Sequence, residues 1–581
     1  MTTAKLTRFK PWVGIGGLCG LHIIFLIVNF VRVPVTHGYD WAGHLTYLYY
    51  VAEYWQTPPA EVSSEFFNPP VYYFSVVAFQ RALGLDLEQA GRVFNFVLAL
   101  TTLGLMVGLC RRVWRDQIWP TLWWLGFYVC NPTVYRVFGM VRPEAMLMPL
   151  FTVAGWLVIG LRPQTRPWAW GFSSALLAGT AWGVRQWGIF LEVALLLWAL
   201  MMCLQDYSVT HWFPWAVLGG QLIFFLGIAV FFLLLRGGHV LAFNAPPHPM
   251  NLTFLTRLQL PTLFVEPVRP ALNYRFWPVL YADFWGDYWR YWREALGAVS
   301  VPTSPTTRIA LSRAMWAALP ATVLTMTGLL GLGRRMNEGM SAAGRNLSYF
   351  SRWLIGGSLG GFLIFASLYA DPGEGDTVKS IYLVYLMPFC GYLGSIVVWH
   401  LTQPPFFRKG MGLVGLAMLL LLVWVAPNGI YLPPASGVGH SWVVPQVAYH
   451  LDVKFGNMIT LVGYDWIEDA SRSQLTLTLL WRADAYPGGS YKVFVHGVEA
   501  ATGRVLAQSD TVPAGWTRPT QEWQIGEYIV DTHSLALSSE AISGVEIRVG
   551  LYSERTGHRL TTTRGGDYEV IVLQGQNEWD E

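Results

Sequence analysis

The chain has 581 residues, of which 53% are hydrophobic and only 13% charged, with a mean hydropathy of +0.37. Soluble domains carry about 25% charged residues, so this composition excludes an ordinary soluble protein. A net charge of +3 is too small to argue for a nucleic-acid partner.

Apolar stretches of the length that crosses a bilayer, roughly 17–25 residues, recur from Trp12 to Pro427 and stop after Pro433. The pattern predicts a membrane domain over 1–432 and a soluble domain over 433–581. The five cysteines sit within or at the ends of apolar segments, without CxxC spacing, and read as small buried hydrophobes.

The N-terminus places Lys5, Arg8 and Lys10 ahead of an apolar run from Trp12 to Val33. That run is too long for a signal-peptide core and no A-x-A-like cleavage site follows, so it reads as an uncleaved first helix. Further segments are expected at 92–110, 117–131, 145–161, 168–184, 187–204, 213–235, 310–332, 353–370, 380–400 and 410–427. About eleven transmembrane helices put the two termini on opposite sides. Basic residues cluster at one set of ends: the N-terminus, Arg111-Arg112-Arg115, Arg162 and Arg166, Arg334-Arg335-Arg345-Arg352, and Arg408-Lys409. The positive-inside rule makes those ends cytoplasmic and the C-terminal domain extracytoplasmic, in the cell membrane. The tight Arg185-Gln186 hairpin inside 168–204 leaves open two short helices in place of full spans.

Two outer connections are longer than turns. The first, 34–91, holds the aromatic-rich stretches Trp41–Trp55 and Val71–Leu83, suited to helices lying in the interface. The second, 236–309, is rich in proline and aromatics, and long ordered loops are usually functional. An aromatic belt anchoring the protein is compatible with either.

Beyond about 440 the apolar period becomes two. Gln474–Trp481 and Tyr491–His496 alternate, as do runs at 458–465, 527–535, 544–552 and 567–573, separated by Gly, Pro, Asp and Ser. This spacing predicts an all-β sandwich, serving as a rigid scaffold or as a module that binds acceptor or glycan. It shows no catalytic constellation.

The predicted topology brings Asp40, Glu53, Glu65, Arg142, Glu144, Arg185 and Lys379 to one membrane face. Each has a plainer reading. Arg185 and Lys379 could snorkel from helix ends, and Asp40 could cap the helix that follows it.

Three motifs carry a resemblance. His37-Gly-Tyr-Asp40-Trp-Ala-Gly-His44, followed by Phe67-Asn68-Pro69-Pro70-Val-Tyr72-Tyr73, resembles the first outer loop of GT-C glycosyltransferases. That superfamily includes protein O-mannosyltransferases and lipid A aminoarabinose transferases. Arg136-Val-Phe-Gly-Met-Val-Arg142-Pro-Glu144 resembles the second outer loop, and Thr377-Val-Lys379-Ser-Ile-Tyr382 the late segment whose basic residue meets the donor phosphate. The resemblance covers roughly 10–430. This chain departs from the family in having Trp41 rather than an acid after Asp40, Asn68 where Lys or His often precedes the prolines, and Glu144 for the usual Asp.

The resemblance implies an enzyme that transfers sugar from a polyprenyl-phosphate donor to an acceptor hydroxyl on protein, glycan or lipid, at the outer face of the cytoplasmic membrane and with inversion of the anomeric centre. It implies Asp40 and Glu144 as catalytic residues and His44, Glu53, Asn68, Tyr72, Arg142, Arg185, Lys379 and Tyr382 as substrate-binding residues. No cofactor is required; Asp40 and Glu144 are the pair a divalent metal ion would use, although no ligand spacing points to one. Two other classes stay open. A lipid or saccharide transporter predicts related halves and mid-membrane charges, and a non-enzymatic subunit predicts a partner-binding β-domain.

Overall fold

The computed structural model describes residues 11–32, 41–59, 64–115, 117–163, 165–205, 213–235, 252–267, 272, 275–288, 305–331, 337–369, 378–403, 440–441, 447–469, 474–485, 487, 491–516, 520, 523, 525–537, 544–553 and 556–573. Asp40 and the expected span 410–427 lie outside the described residues. The chain divides into two compact units, one of residues 1–289 with 304–433, the other of 290–303 with 434–581.

The first unit is helical. Its first half runs α1 (Pro11–Arg32), α2 (Trp41–Tyr54), α3 (Val71–Leu83), α4 (Leu87–Trp114), α5 (Ile118–Val129), α6 (Pro132–Gly139), α7 (Glu144–Gly160) and α8 (Pro167–Val184). It continues with α9 (Ile189–Gln205), α10 (Phe213–Leu235), α11 (Leu252–Thr256), α12 (Leu260–Val265), α13 (Phe276–Trp285), α14 (Pro305–Leu330), α15 (Ala342–Tyr369) and α16 (Met387–Leu401). Among the described residues, Val13–Val31, Leu87–Trp114, Gln186–Leu204, Ala342–Leu368 and Ser380–Leu401 are long and apolar enough to cross a membrane. Glu144–Gly160 and Leu218–Leu234 are shorter apolar helices.

Local chemistry sets the helix ends. Asp86 caps α4, its carboxylate accepting the Gln89 N–H at 2.8 Å. The other end of α4 carries Arg111 and Arg112, where cations complement the helix dipole. At 28 residues, or about 42 Å, α4 outruns the expected 92–110 because both polar ends continue the helix. The expected segment 117–131 is α5, and at its end Asn131 accepts the Thr133 N–H at 2.9 Å while Pro132 opens a further helix, α6. The 12 residues of α5 reach only about 18 Å. The aromatic-rich stretches Trp41–Trp55 and Val71–Leu83 form α2 and α3. Pro69-Pro70 precede α3, and Gly84, at φ +66°, ends it by donating its N–H to Gln80 O.

The α8–α9 hairpin turns on Arg185 and Gly188. Arg185 is extended (φ −155°, ψ 148°), stopping α8. A Cβ at Gly188 would lie 2.2 Å from the Trp182 backbone nitrogen, so only glycine lets the chain reverse this tightly. Both arms are long, 18 residues in α8 and 17 in α9.

The second unit holds β1 (His440–Ser441), β2 (Tyr449–Phe455), β3 (Ile459–Asp469), β4 (Gln474–Ala483), β5 (Tyr491–Glu499), β6 (Val505–Thr511), β7 (Tyr528–Leu535), β8 (Val545–Ser553) and β9 (Glu569–Ile571). They form two antiparallel sheets, ordered β1-β7-β4-β3-β2 and β6-β5-β8-β9. The inward rows of both sheets share one core, with Leu475, Leu477, Leu479 and Trp481 from β4 among Val493, Val495, Val549 and Leu551 from the other sheet.

Candidate functional site

The site residues come from four backbone segments of the helical unit. Met140, extended at φ −105° and ψ 144°, ends α6, and Pro143, already helical at φ −59° and ψ −33°, leads into Glu144, which begins α7 and leaves Arg142 just outside the helix. The Arg142 guanidinium grips the Glu144 carboxylate with two hydrogen bonds, Nε to Oε2 at 2.7 Å and Nη2 to Oε1 at 3.1 Å. From the α8–α9 turn, Arg185 Nε approaches Oε1 of the same carboxylate to 3.0 Å. Arg142 and Glu144 are fully buried and Arg185 nearly so. Ion pairs this deep hold only with close geometry.

Tyr382 completes this group. The Arg142 and Arg185 guanidinium carbons lie 6.0 and 5.8 Å from its ring centroid, and the Trp187 ring stands 5.5 Å from it. Tyr382 belongs to a buried 3₁₀ segment, Ser380–Leu386, that Lys379 precedes. Lys379 is half-buried, its carbonyl accepting the Tyr382 N–H at 3.2 Å.

The connection between α1 and α4 supplies a polar wall. His44 on α2 pairs through Nδ1 with the Tyr73 hydroxyl at 2.7 Å, and Asn68 Nδ2 donates to that hydroxyl at 3.3 Å. Tyr47 stacks on Tyr73 with centroids 3.7 Å apart and donates to Asn68 O at 3.2 Å. Tyr72 donates to Asn95 Oδ1 at 3.0 Å, and Asn95 in turn donates to the Met140 carbonyl just ahead of Arg142. Gln186 donates to Phe67 O at 3.3 Å, tying the α8–α9 turn to the first connection.

Of the residues singled out in the sequence, Arg142, Glu144, Arg185 and Tyr382 thus meet directly. His44, Asn68 and Tyr72 line one hydrogen-bonded wall whose Tyr72–Asn95 link reaches the Arg142 loop. Glu53 does not join them. It is exposed at the end of α2, nine residues or about 13 Å along the helix from His44. Glu65 falls in a 3₁₀ turn, Ser64–Phe67, its side chain outside the described residues.

Both Glu144 oxygens face guanidinium groups, which does not fit a role as metal ligand. Among the described residues no cluster of three His, Cys, Asp or Glu side chains could hold a metal ion.

A second buried cluster was not foreseen from the residues. Arg136 on α6 reaches Asp283 and Asp287, at 3.3 and 3.0 Å, from the second long connection. These residues are 147 and 151 positions apart, beyond any local pattern; the proline- and aromatic-rich composition of 236–309 marked only the region. Tyr47, Tyr73 and Asn95 were also missed as wall residues, although Tyr73 ends a motif already singled out.

In the β-unit, Ser509 Oγ lies 3.0 Å from His533 Nδ1, and His533 Nε2 lies 2.9 Å from Asp531 Oδ2. The sequence reading found no such alignment. Asp531 also accepts the Ala514 N–H at 2.8 Å, and β6 is paired to β5 from Val505 to Thr511. The chain therefore acts as a polar tie between edge strand β6 and β7 of the facing sheet, with no oxyanion donors arranged around Ser509 among the described residues.

No protein-family model and no curated protein matches the chain. Among solved structures it is similar to ArnT from Cupriavidus metallidurans. The crystal structure of ArnT bound to undecaprenyl phosphate shares 13% identity at a TM-score of 0.39, covering 73% of this chain and 74% of that one. The apo crystal structure shares 13% identity at 0.38, covering 72% and 73%. A likeness of that grade carries no weight on activity, and the functional case rests on the side chains.

Proposed function

We propose that the protein is a membrane glycosyltransferase that moves a sugar from a polyprenyl-phosphate donor to an acceptor hydroxyl at the outer face of the cell membrane, inverting the anomeric centre. The observation that carries this reading is the buried Arg142–Glu144–Arg185 group beside Tyr382. Two guanidiniums brought together in apolar surroundings offer a bidentate cradle for an anion. A lipid phosphate supplies one while its tail stays in the apolar surroundings, and arginine binds phosphate bidentately. The resemblance of the Asp40, Pro69-Pro70 and Lys379 motifs to GT-C loops supports the same substrate class.

Glu144 keeps the two arginines parallel and pre-set, so that the donor meets fixed donors rather than mobile ones. Lys379 adds a point charge from the 3₁₀ segment. His44, Asn68 and Tyr72 form the polar wall against which sugar or acceptor hydroxyls are held. Asp40, which enters from the sequence alone, takes the proton of the acceptor hydroxyl as its oxygen attacks the anomeric carbon. The carbon–oxygen bond to phosphate breaks, and the phosphate leaves with its charge matched by the cations, so it needs no proton.

Binding of polyprenyl phosphate to the purified protein in nanodiscs tests the phosphate site. Arg185→Ala and Lys379→Ala are expected to weaken it by about tenfold or more each, the scale of one charge-assisted contact. Unchanged affinity in both would return these residues to membrane anchoring and remove the reading.

A further inference from the structure

The 3₁₀ segment that carries Tyr382 is seven residues long, whereas such runs seldom exceed three or four. Something must hold it. Its first residue, Ser380, donates its N–H to Asp283 Oδ2 at 2.7 Å. The Ser380 hydroxyl meets Arg136 Nη2 at 3.2 Å and Thr133 Oγ1 at 3.1 Å. Arg136 is itself fixed: Nη1 donates to Gly286 O at 2.8 Å and Asp287 Oδ1 at 3.0 Å, and Nη2 to Thr133 Oγ1 at 2.8 Å. Arg136, Asp283, Asp287 and Ser380 are all buried. A carboxylate from one connection thus caps the start of a segment on another part of the chain, with an arginine from a third locking both.

Geometry gives this clamp a consequence. Lys379 lies directly before the clamped N–H, and its carbonyl receives the Tyr382 N–H. In a 3₁₀ turn residues three apart eclipse, whereas in an α-helix they are offset by about 60°. Relaxing the segment would therefore rotate Tyr382, which stands beside the Arg142 and Arg185 guanidiniums, relative to Lys379.

We infer that Asp283 and Arg136 are positioning residues for the anion site: by clamping Ser380 they hold Lys379 and Tyr382 in register with the Arg142–Glu144–Arg185 group. The inference rests on the lipid-phosphate reading above. Asp283 and Arg136 act through the segment they hold and not on the substrate.

The test is binding of polyprenyl phosphate to full-length protein in nanodiscs, measured well below each variant's melting temperature. Asp283→Asn, with Arg136→Lys as second variant should the first not fold, is expected to weaken binding by about tenfold, the scale of one displaced charge-assisted contact. Ser380→Ala keeps the backbone N–H on Asp283 but loses the hydroxyl that Arg136 meets, so its loss should be smaller than that of Asp283→Asn. Leu109→Ala, a buried position near the other end of α4, supplies a similar loss of melting temperature without touching the clamp and should leave affinity unchanged. Wild-type affinity in folded Asp283→Asn, or an equal loss in Leu109→Ala, overturns the assignment, as does a Ser380→Ala loss equal to that of Asp283→Asn. Lys379→Ala and Arg185→Ala separate the two claims. Weakened binding in Lys379→Ala with none in Asp283→Asn sinks the clamp alone, whereas no weakening in either Lys379→Ala or Arg185→Ala sinks the phosphate site beneath it.

Discussion

Arg142 Nε stands 2.7 Å from Glu144 Oε2, with both side chains fully buried and only Pro143 between them. Two residues apart in the chain, they would diverge on a helix. They meet because Arg142 lies before α7 and Glu144 opens it. That break in the backbone makes the local pair possible, and Arg185 then closes on it from the α8–α9 turn.

Glu144→Ala leaves two buried guanidiniums without their carboxylate. Breaking a buried pair in this way costs about 3–5 kcal/mol, so thermal unfolding in detergent should show a large fall in melting temperature. Glu144→Gln keeps an acceptor oxygen and should unfold closer to wild type, with polyprenyl-phosphate binding weakened because the arginines are no longer held parallel. Wild-type melting in Glu144→Ala would show that the pair does not organise the site.

Tyr73→Phe strips the hydroxyl shared by His44 and Asn68. A buried polar group left without its partner costs about 1–3 kcal/mol. The variant should melt earlier and become more open to hydrogen exchange over α2 and α3, while Tyr49→Phe, whose hydroxyl is exposed, should match wild type. Equal protection in both variants would remove the polar wall as a structural element.

In the β-unit, burial raises the Asp484 carboxyl, but hydrogen bonds from Arg482 and Thr460 and the charges of Arg482 and Lys454 outweigh it, leaving the carboxyl below its ordinary value. A depressed folded value gives stability that is present above the unfolded value of about 3.9 and is lost as pH falls through the lower folded one. Arg482→Ala should therefore make the β-unit of the full chain easier to proteolyse at pH 7. An acid-active protease should find the gap to wild type closing as pH falls below the ordinary carboxylate value of about 3.9. A gap that stays constant with pH would place the effect of Arg482 in packing rather than charge.

Much of the architecture is legible in the sequence because burial in a bilayer writes long apolar runs, and α1, α7, α8, α9 and α10 fall almost where those runs do. The expected segment 117–131 closes where α5 does, but α6 was hidden, because only the cap geometry at Asn131-Pro132 shows that a new helix begins there. Strand β2 escaped because a bulge between His450 and Val453, with Asp452 at φ +69°, breaks its alternation. Strand β6 escaped as an edge strand with no residue fully buried. The site was half legible. Arg142, Glu144, Arg185 and Tyr382 sit at recognisable stations along the chain, but the Arg136–Asp283 clamp depends on a tertiary contact between distant segments that no local period encodes.

The central claim is transfer from a lipid-phosphate sugar, and it is tested most directly by single-turnover assay of the purified protein with polyprenyl-phosphate hexose, comparing wild type with Asp40→Asn. Asparagine caps a helix about as well as aspartate, so the substitution spares the fold but removes the proton acceptor. The account predicts sugar transfer or release by wild type. For Asp40→Asn it predicts a fall on the order of 10²-fold or more, with melting temperature and donor binding preserved. Wild type that binds the donor and never releases sugar would contradict the enzyme reading, and Asp40→Asn keeping more than about a third of the wild-type rate at saturating donor would contradict Asp40 as the base.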